Sequence, residues 1–186
     1  LVPAIQTLGH MEQFLSWHQV SHLKAQKAVL LTRNNETYSL IDQMFKSLKE
    51  IFKHDKIHMG LDETFGFGFG NFYKKNGYVE PMELFLEHLT KVNDLAIKNR
   101  FSNNLIWSDM FFRFLSEVEY YYDPNIKFDR KILDRIPNNV SLVYWDYYNK
   151  NSELVDKMIK NHYEMGKKIV FASGTWIWTR LTYDKS

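Results

Sequence analysis

KIHMGLDETFGFGFGN, residues 56–71, joins a strand-like run to an acidic pair and a glycine-rich turn. Its first part, 56–61, is a short apolar run of the kind that makes a buried strand. It ends in two adjacent carboxylates, Asp62 and Glu63, and then in alternating Gly and Phe. Similar runs recur as VPAIQT (2–7), NLIWSD (104–109), SLVYWD (141–146) and KIVFAS (168–173). Helical periodicity separates them. In 37–52 the residues Leu40, Ile41, Met44, Phe45, Leu48, Ile51 and Phe52 mark one apolar face, and in 80–99 Met82, Phe85, Leu89, Val92 and Ala96 do the same. The segment 152–166 starts at Ser152 as a candidate N-cap and stops at Gly166, a good residue just past a helix end. In 110–139 a short helix is expected before Pro137.

Strand alternating with helix implies parallel strands joined by right-handed crossovers. That leaves an α/β class with two architectures, a doubly wound sheet or a (β/α)8 TIM barrel, both of which bind ligands at the carboxyl ends of their strands. Those ends read Gln6-Thr7-Leu8-Gly9-His10, Asp62-Glu63, Trp107-Ser108-Asp109, Trp145-Asp146-Tyr147 and Ser173-Gly174-Thr175-Trp176. Polar and aromatic residues gather at each. A complete barrel takes eight such units and ~250 residues, so 186 residues with about five strands correspond to part of one.

Composition narrows the function classes. The chain is 45% hydrophobic, enough for one sizeable domain, and its net charge of +2 comes from dispersed charges with no basic block to grip nucleic acid or a membrane surface. Cysteine is absent, which removes disulfides and thiolate metal sites and leaves the compartment open. No apolar run approaches the ~20 residues that span a bilayer. The chain opens LVPAIQT, inside an apparent core strand and without Met, so it is expected to be an internal piece of a longer protein. The anomaly is aromatic content: 14 Phe, 11 Tyr and 5 Trp.

Paired carboxylates at a barrel mouth suit glycoside hydrolysis, one of them protonating the leaving oxygen; a solvated acidic strand end is the plain alternative. Trp107, Trp145, Trp176 and Trp178 lie at strand ends, with Asp109 and Asp146 beside them. That pattern suits a pocket in which flat sugar faces stack on indole rings while carboxylates accept from hydroxyls, although single Trp residues are often core. GFGFGN fails as a phosphate-cradling loop, because the spacing G-x-G-x-x-G needs Gly where Asn71 stands. No helical pattern follows it directly, and it reads as a mobile aromatic loop above the site. His18/His22 and His54/His58 have i,i+4 spacing without the Glu of a helical zinc motif, so neither a metal nor a cofactor is implied. His10 and His58 are better placed as hydrogen-bonding residues that hold carboxylates.

His58-Met59-Gly60-Leu61-Asp62-Glu63 is similar to the H-x-G-x-D-E signature of family 20 glycoside hydrolases, the β-N-acetylhexosaminidases, at the end of the fourth barrel strand. Gln6-Thr7-Leu8-Gly9-His10 resembles the preceding strand end, with its Gly-His pair. Trp107 and Trp145 fall where successive family strands carry pocket tryptophans. The wording LIWSDMFFR, VYWDYY and FASGTWIW resembles that of the streptococcal N-acetylglucosaminidases and the hexosaminidase D group. The resemblance covers essentially the whole chain and implies barrel strands three to seven, with strands one, two and eight missing. With them goes the arginine that in the family grips sugar hydroxyls. Strand seven departs from the family's Tyr-x-Asp, carrying Trp176-Ile177-Trp178-Thr179 instead, and the equivalent contact to the acetamido group would come from Asp146 and Tyr147.

The same resemblance implies a retaining exo-acting enzyme on N-acetylhexosamine-terminated glycans, in which the substrate's own acetamido oxygen is the nucleophile. Asp62 and Glu63 would be catalytic. His10, His58, Trp107, Asp109, Trp145, Asp146, Tyr147, Trp176 and Trp178 would bind substrate. Two other readings stand beside it: a sugar-binding barrel without catalysis, and a barrel glycosidase of another family with an enzyme nucleophile. Open barrel edges expose unpaired strand groups, so the piece alone is expected to be inactive, or covered by a complementing fragment or a second copy of itself.

Overall fold

A computed structural model of the chain describes residues 1–174. After a one-turn helix α1 (Glu12–Leu15), a small antiparallel hairpin β1 (Lys24–Gln26) and β2 (Val29–Leu30) precedes the long helix α2 (Asn35–Ile51). Then come β3 (Lys56–His58), α3 (Asn71–Asn76), α4 (Pro81–Lys98), β4 (Asn103–Trp107) and α5 (Asp109–Leu115). The described part closes with α6 (Arg130–Leu133), β5 (Val140–Trp145), α7 (Ser152–Glu164) and β6 (Ile169–Ala172).

Strand order separates the two candidate architectures. The parallel sheet runs β3-β4-β5-β6, each strand beside its successor in sequence, and Ala4 makes a parallel bridge to His58 on the outer side of β3. A doubly wound sheet reverses its order at a switch point; this one does not. Sequential neighbours throughout are the order of a (β/α)8 barrel, here part of one. The central strand β5 is buried along most of its length, with Val140, Leu142, Val143 and Tyr144 inside, as parallel strands covered on both faces require.

The helix periodicity predicts the buried faces well. Met82, Phe85, Leu89, Val92 and Ala96 of α4 are all buried, and α2 turns Ile41 and Phe45 inward, whereas Ile51 stands exposed at its last position. Phe45 meets Phe101 edge to face at 6.3 Å, tying α2 to the turn before β4. The short helix expected before Pro137 is α6, and Gly166 takes φ +69° just past α7.

Three expectations need correction, and one element was not expected at all. Residues 2–7 are not a strand but a bridge: Ile5 N–H donates to His58 O and His58 N–H to Pro3 O, while Pro3 has no N–H of its own to give. The cap of α7 is Asn151, whose Oδ1 accepts from Glu153 and Leu154 N–H, not Ser152. The hairpin β1–β2 left no clear pattern in sequence. Finally, GFGFGN is no free loop. Helix α3 starts at Asn71, and Phe67 is buried against Phe85 and Phe114 while Phe65 and Phe69 face outward. The hairpin holds this segment, through Gln26 donating to Gly66 O and Asn71 Nδ2 donating to Lys24 O.

Candidate active site

The site is made where β3 stops. Beyond His58 the backbone leaves the extended region: Gly60 (φ +74°), Leu61 (φ +72°) and Glu63 (φ +46°) are all left-handed, and His10 (φ +55°) is so on the neighbouring segment. Extended backbone would send Asp62 and Glu63 to opposite faces; the left-handed turn brings both to one cleft. Each left-handed non-glycine residue costs on the order of 1–2 kcal/mol. Burying Leu61, at 0% exposure, is worth ~1.5–3 kcal/mol and so offsets the cost at that one residue. Strain of this kind collects at functional sites.

Close backbone packing holds the turn. A Cβ on Gly60 would collide with Gln6 Oε1, and one on Gly9 would stand 2.5 Å from the carbonyl oxygen of Asp62. Thr7 adds a hydrogen bond from its hydroxyl to Met59 O at 2.7 Å, and buried His88 joins Thr7 O through Nε2 at 3.1 Å. Gly9→Ala is therefore expected to destabilise the protein by about 1–3 kcal/mol, the usual cost of overpacking. Urea unfolding checks it, and unchanged stability would mean that these two segments do not pack in this way.

Asp62, Glu63, His10, Trp107, Trp145, Tyr147 and Tyr148 line one cleft of about 310 Å³. His10 Nε2 lies 3.0 Å from Asp62 Oδ2 and 3.6 Å from Glu63 Oε2, while Gln6 Nε2 donates to Asp62 Oδ1 at 3.1 Å. The hydrogen bond to Asp62 raises the His10 pKa above the usual histidine value, against the opposing effect of burial, with the charges of Asp62 and Glu63 assisting. Its cationic contact with Asp62 is thus fully present below the ordinary histidine pKa and is lost as pH rises through the raised one. Trp145 stacks on Tyr147 at 5.8 Å between centroids and 20° between planes, and packs on Tyr121 at 4.8 Å, so its indole is fixed as a wall.

Three residues expected at the substrate sit elsewhere. His58 is packed on Trp107 at 4.4 Å, its Nδ1 accepts from Gly60 N–H, and it touches neither carboxylate. Burial pushes its pKa down to about 4, so it is a neutral prop for the Trp107 wall and for the turn. Asp109 is wholly buried beneath the cleft, where its Oδ2 accepts from Glu63 N–H at 3.1 Å and from Arg113 Nε at 3.1 Å. Asp146 is turned inward and used structurally, accepting from the Tyr144 hydroxyl (2.7 Å), from Asn149 Nδ2 and from the Tyr148 and Asn149 N–H groups. Trp176 and Trp178 lie outside the described residues. Sequence reasoning missed Tyr148, the second Tyr of the WDYY run, and Arg113. The signal for Arg113 was its i,i+4 spacing from Asp109 on one helix.

Two carboxylates and a histidine in a cleft walled by indole and phenol rings can hold a sugar and move a proton at its glycosidic oxygen. Residues 2–183 match the family model of glycosyl hydrolase family 20, catalytic domain. The chain belongs to that family. Hexosaminidase D of Bos taurus is 26% identical over 155 residues, which are 79% of this chain and 41% of that protein. Among solved structures, the fold is similar to that of the β-N-acetylhexosaminidase of Bacteroides fragilis NCTC 9343, with a TM-score of 0.61 at 16% identity, over 94% of this chain and 32% of that one. The exo β-N-acetylglucosaminidase of Vibrio harveyi, solved with N-acetylglucosamine, gives 0.60 at 16% identity over 91% and 25%. The family 20 chain thus spans 41% of the curated relative and between a quarter and a third of these two structures.

Proposed function

We infer that these residues are part of a catalytic barrel that removes terminal N-acetylhexosamine from glycans with retention, by substrate-assisted catalysis. The observation that carries this is the shared cleft of Asp62 and Glu63 with Trp107, Trp145 and Tyr147 around it. The carbonyl oxygen of the 2-acetamido group attacks the anomeric carbon as the bond to the leaving oxygen breaks. Glu63 gives its proton to that oxygen. The product is an oxazolinium ion, whose positive charge the Asp62 carboxylate offsets while accepting from the acetamido N–H. Water then attacks the anomeric carbon and Glu63 takes its proton, which opens the ring and restores the Glu63 acid, while Asp62 stays a carboxylate throughout. Tyr147, which lines the cleft, is better placed than inward-turned Asp146 to meet the acetamido carbonyl. Trp107 and Trp145 wall the sugar, and His10 holds Asp62 in place.

A purely sugar-binding barrel has no need of an acid at Glu63, and an enzyme nucleophile has no need of an acetamido group. The test is turnover, by the intact protein, of 4-nitrophenyl N-acetyl-β-glucosaminide against 4-nitrophenyl β-glucoside. Cleavage of the acetamido substrate alone is expected. Equal cleavage of both would sink the substrate-assisted step, and cleavage of neither would leave a binding barrel.

A further inference from the structure

We propose that Arg113 is a positioning residue for Glu63: with Asp109 it fixes one carboxyl oxygen of that side chain, so that the other faces the bond being broken. The proposal rests on Glu63 being the acid and base described above. Helix α5 begins directly at the end of β4, and Asp109 and Arg113 are one turn apart on it, so their side chains meet. Asp109 Oδ2 accepts both from Arg113 Nε and from the backbone N–H of Glu63, each at 3.1 Å. Arg113 Nη2 then reaches Glu63 Oε1 at 3.4 Å. One ion pair therefore holds the main chain and the side chain of a single residue. Glu63 Oε2 is left on the side of His10, 3.6 Å away, and of the cleft.

The guanidinium is itself held. Its carbon lies 5.0 Å from the centre of the Phe65 ring and 5.8 Å from that of Tyr121, and Nη1 donates to Glu119 O at 3.3 Å. Arg113 is absent from the cleft lining, so it acts through Glu63 and not on the sugar. A buried carboxylate is a costly way to hold a helix to a strand, since apolar residues of similar size often do it as well or better. Burial pushes Asp109 up to about 7, with the charge of Asp62 adding to it and Arg113 working against it. Such a pair is explained by what it holds. Without it Glu63, adjacent to another carboxylate and on a left-handed backbone, is free to swing toward water.

Arg113→Met in the intact enzyme tests this, with turnover measured on two N-acetyl-β-glucosaminides: one with an alkyl alcohol as leaving group and one with 2,4-dinitrophenol. Only the first needs a well-placed acid. The variant is expected to lose about 10–100-fold in kcat on the alkyl glycoside, the order expected when a catalytic group shifts by about an ångström. KM on the alkyl glycoside should be unchanged, and kcat/KM for the dinitrophenyl substrate, which reports bond cleavage before Glu63 is needed as a base, should stay near that of wild type. Arg113→Lys, which keeps the charge without the planar fork, should recover part of the loss. Partial unfolding lowers both rates alike, so the ratio of the two rates reports positioning alone. Equal losses on both substrates, or none on either, would overturn the proposal. Glu63→Gln run alongside separates the two levels. If that variant fails to show the leaving-group dependence, the assignment of Glu63 itself falls, and this proposal falls with it.

Discussion

Glu63→Gln is expected to lower turnover of substrates with poor leaving groups by about 10²–10⁴, the contribution of a well-placed general acid. Glutamine is nearly isosteric and keeps an oxygen for Arg113, whose Nη2 lies 3.4 Å from Glu63 Oε1. The backbone N–H still donates to Asp109. The fold should therefore survive while the proton is lost. The deficit in kcat/KM should shrink as the leaving group improves, because 2,4-dinitrophenolate departs without protonation. Steady-state kinetics across a series of aryl and alkyl glycosides checks it. A uniform loss would point to damage of the site, and no loss would make the acidic pair a simple strand end.

Asp62→Asn should behave differently. Its charge is wanted at the sugar ring, where the oxazolinium forms whatever the leaving group is. Asparagine can still accept from Gln6 Nε2 or from His10, the two partners that Asp62 holds at 3.1 and 3.0 Å, so the cleft keeps its shape. Removing one preorganised electrostatic partner of the transition state typically costs ~10²–10³ in kcat, and this loss should be similar on good and poor leaving groups. The same variant has a signature in the free protein. The hydrogen bond that His10 donates to Asp62 is the main reason that the His10 pKa stands high, so an NMR titration should find His10 moved back down in Asp62→Asn.

Much of this was legible in the sequence, for physical reasons. Short apolar runs gave the strands near 104–109 and 141–146, found as Asn103–Trp107 and Val140–Trp145, and 3.6-residue periodicity gave the buried stripe of α4, because burial selects those residues directly. The Asp62-Glu63 pair and the tryptophans were visible as chemistry out of place at strand ends. What stayed hidden depends on where the backbone turns. An Asp beside a Trp reads the same whether it faces the cleft or the core; Asp109 and Asp146 both face inward, and only the packing of Arg113, Tyr144 and Asn149 shows it. His58 looked like a partner of the carboxylates, yet Leu61 and Gly60 turn the chain away from it. The hairpin β1–β2 was illegible because strands of three and two residues carry too little pattern, and it is what packs the GFGFGN segment down.

The most direct test of the central claim is binding of an N-acetylglucosamine-derived thiazoline, a stable mimic of the oxazolinium, measured by titration calorimetry on the intact protein and on Asp62→Asn. Mimics of a reaction's transition state bind ~10²–10⁸-fold tighter than substrates. Tight binding to the wild type, much weakened when the Asp62 charge is removed, is the predicted result. Binding no tighter than that of N-acetylglucosamine itself, or equal in the two proteins, would contradict it.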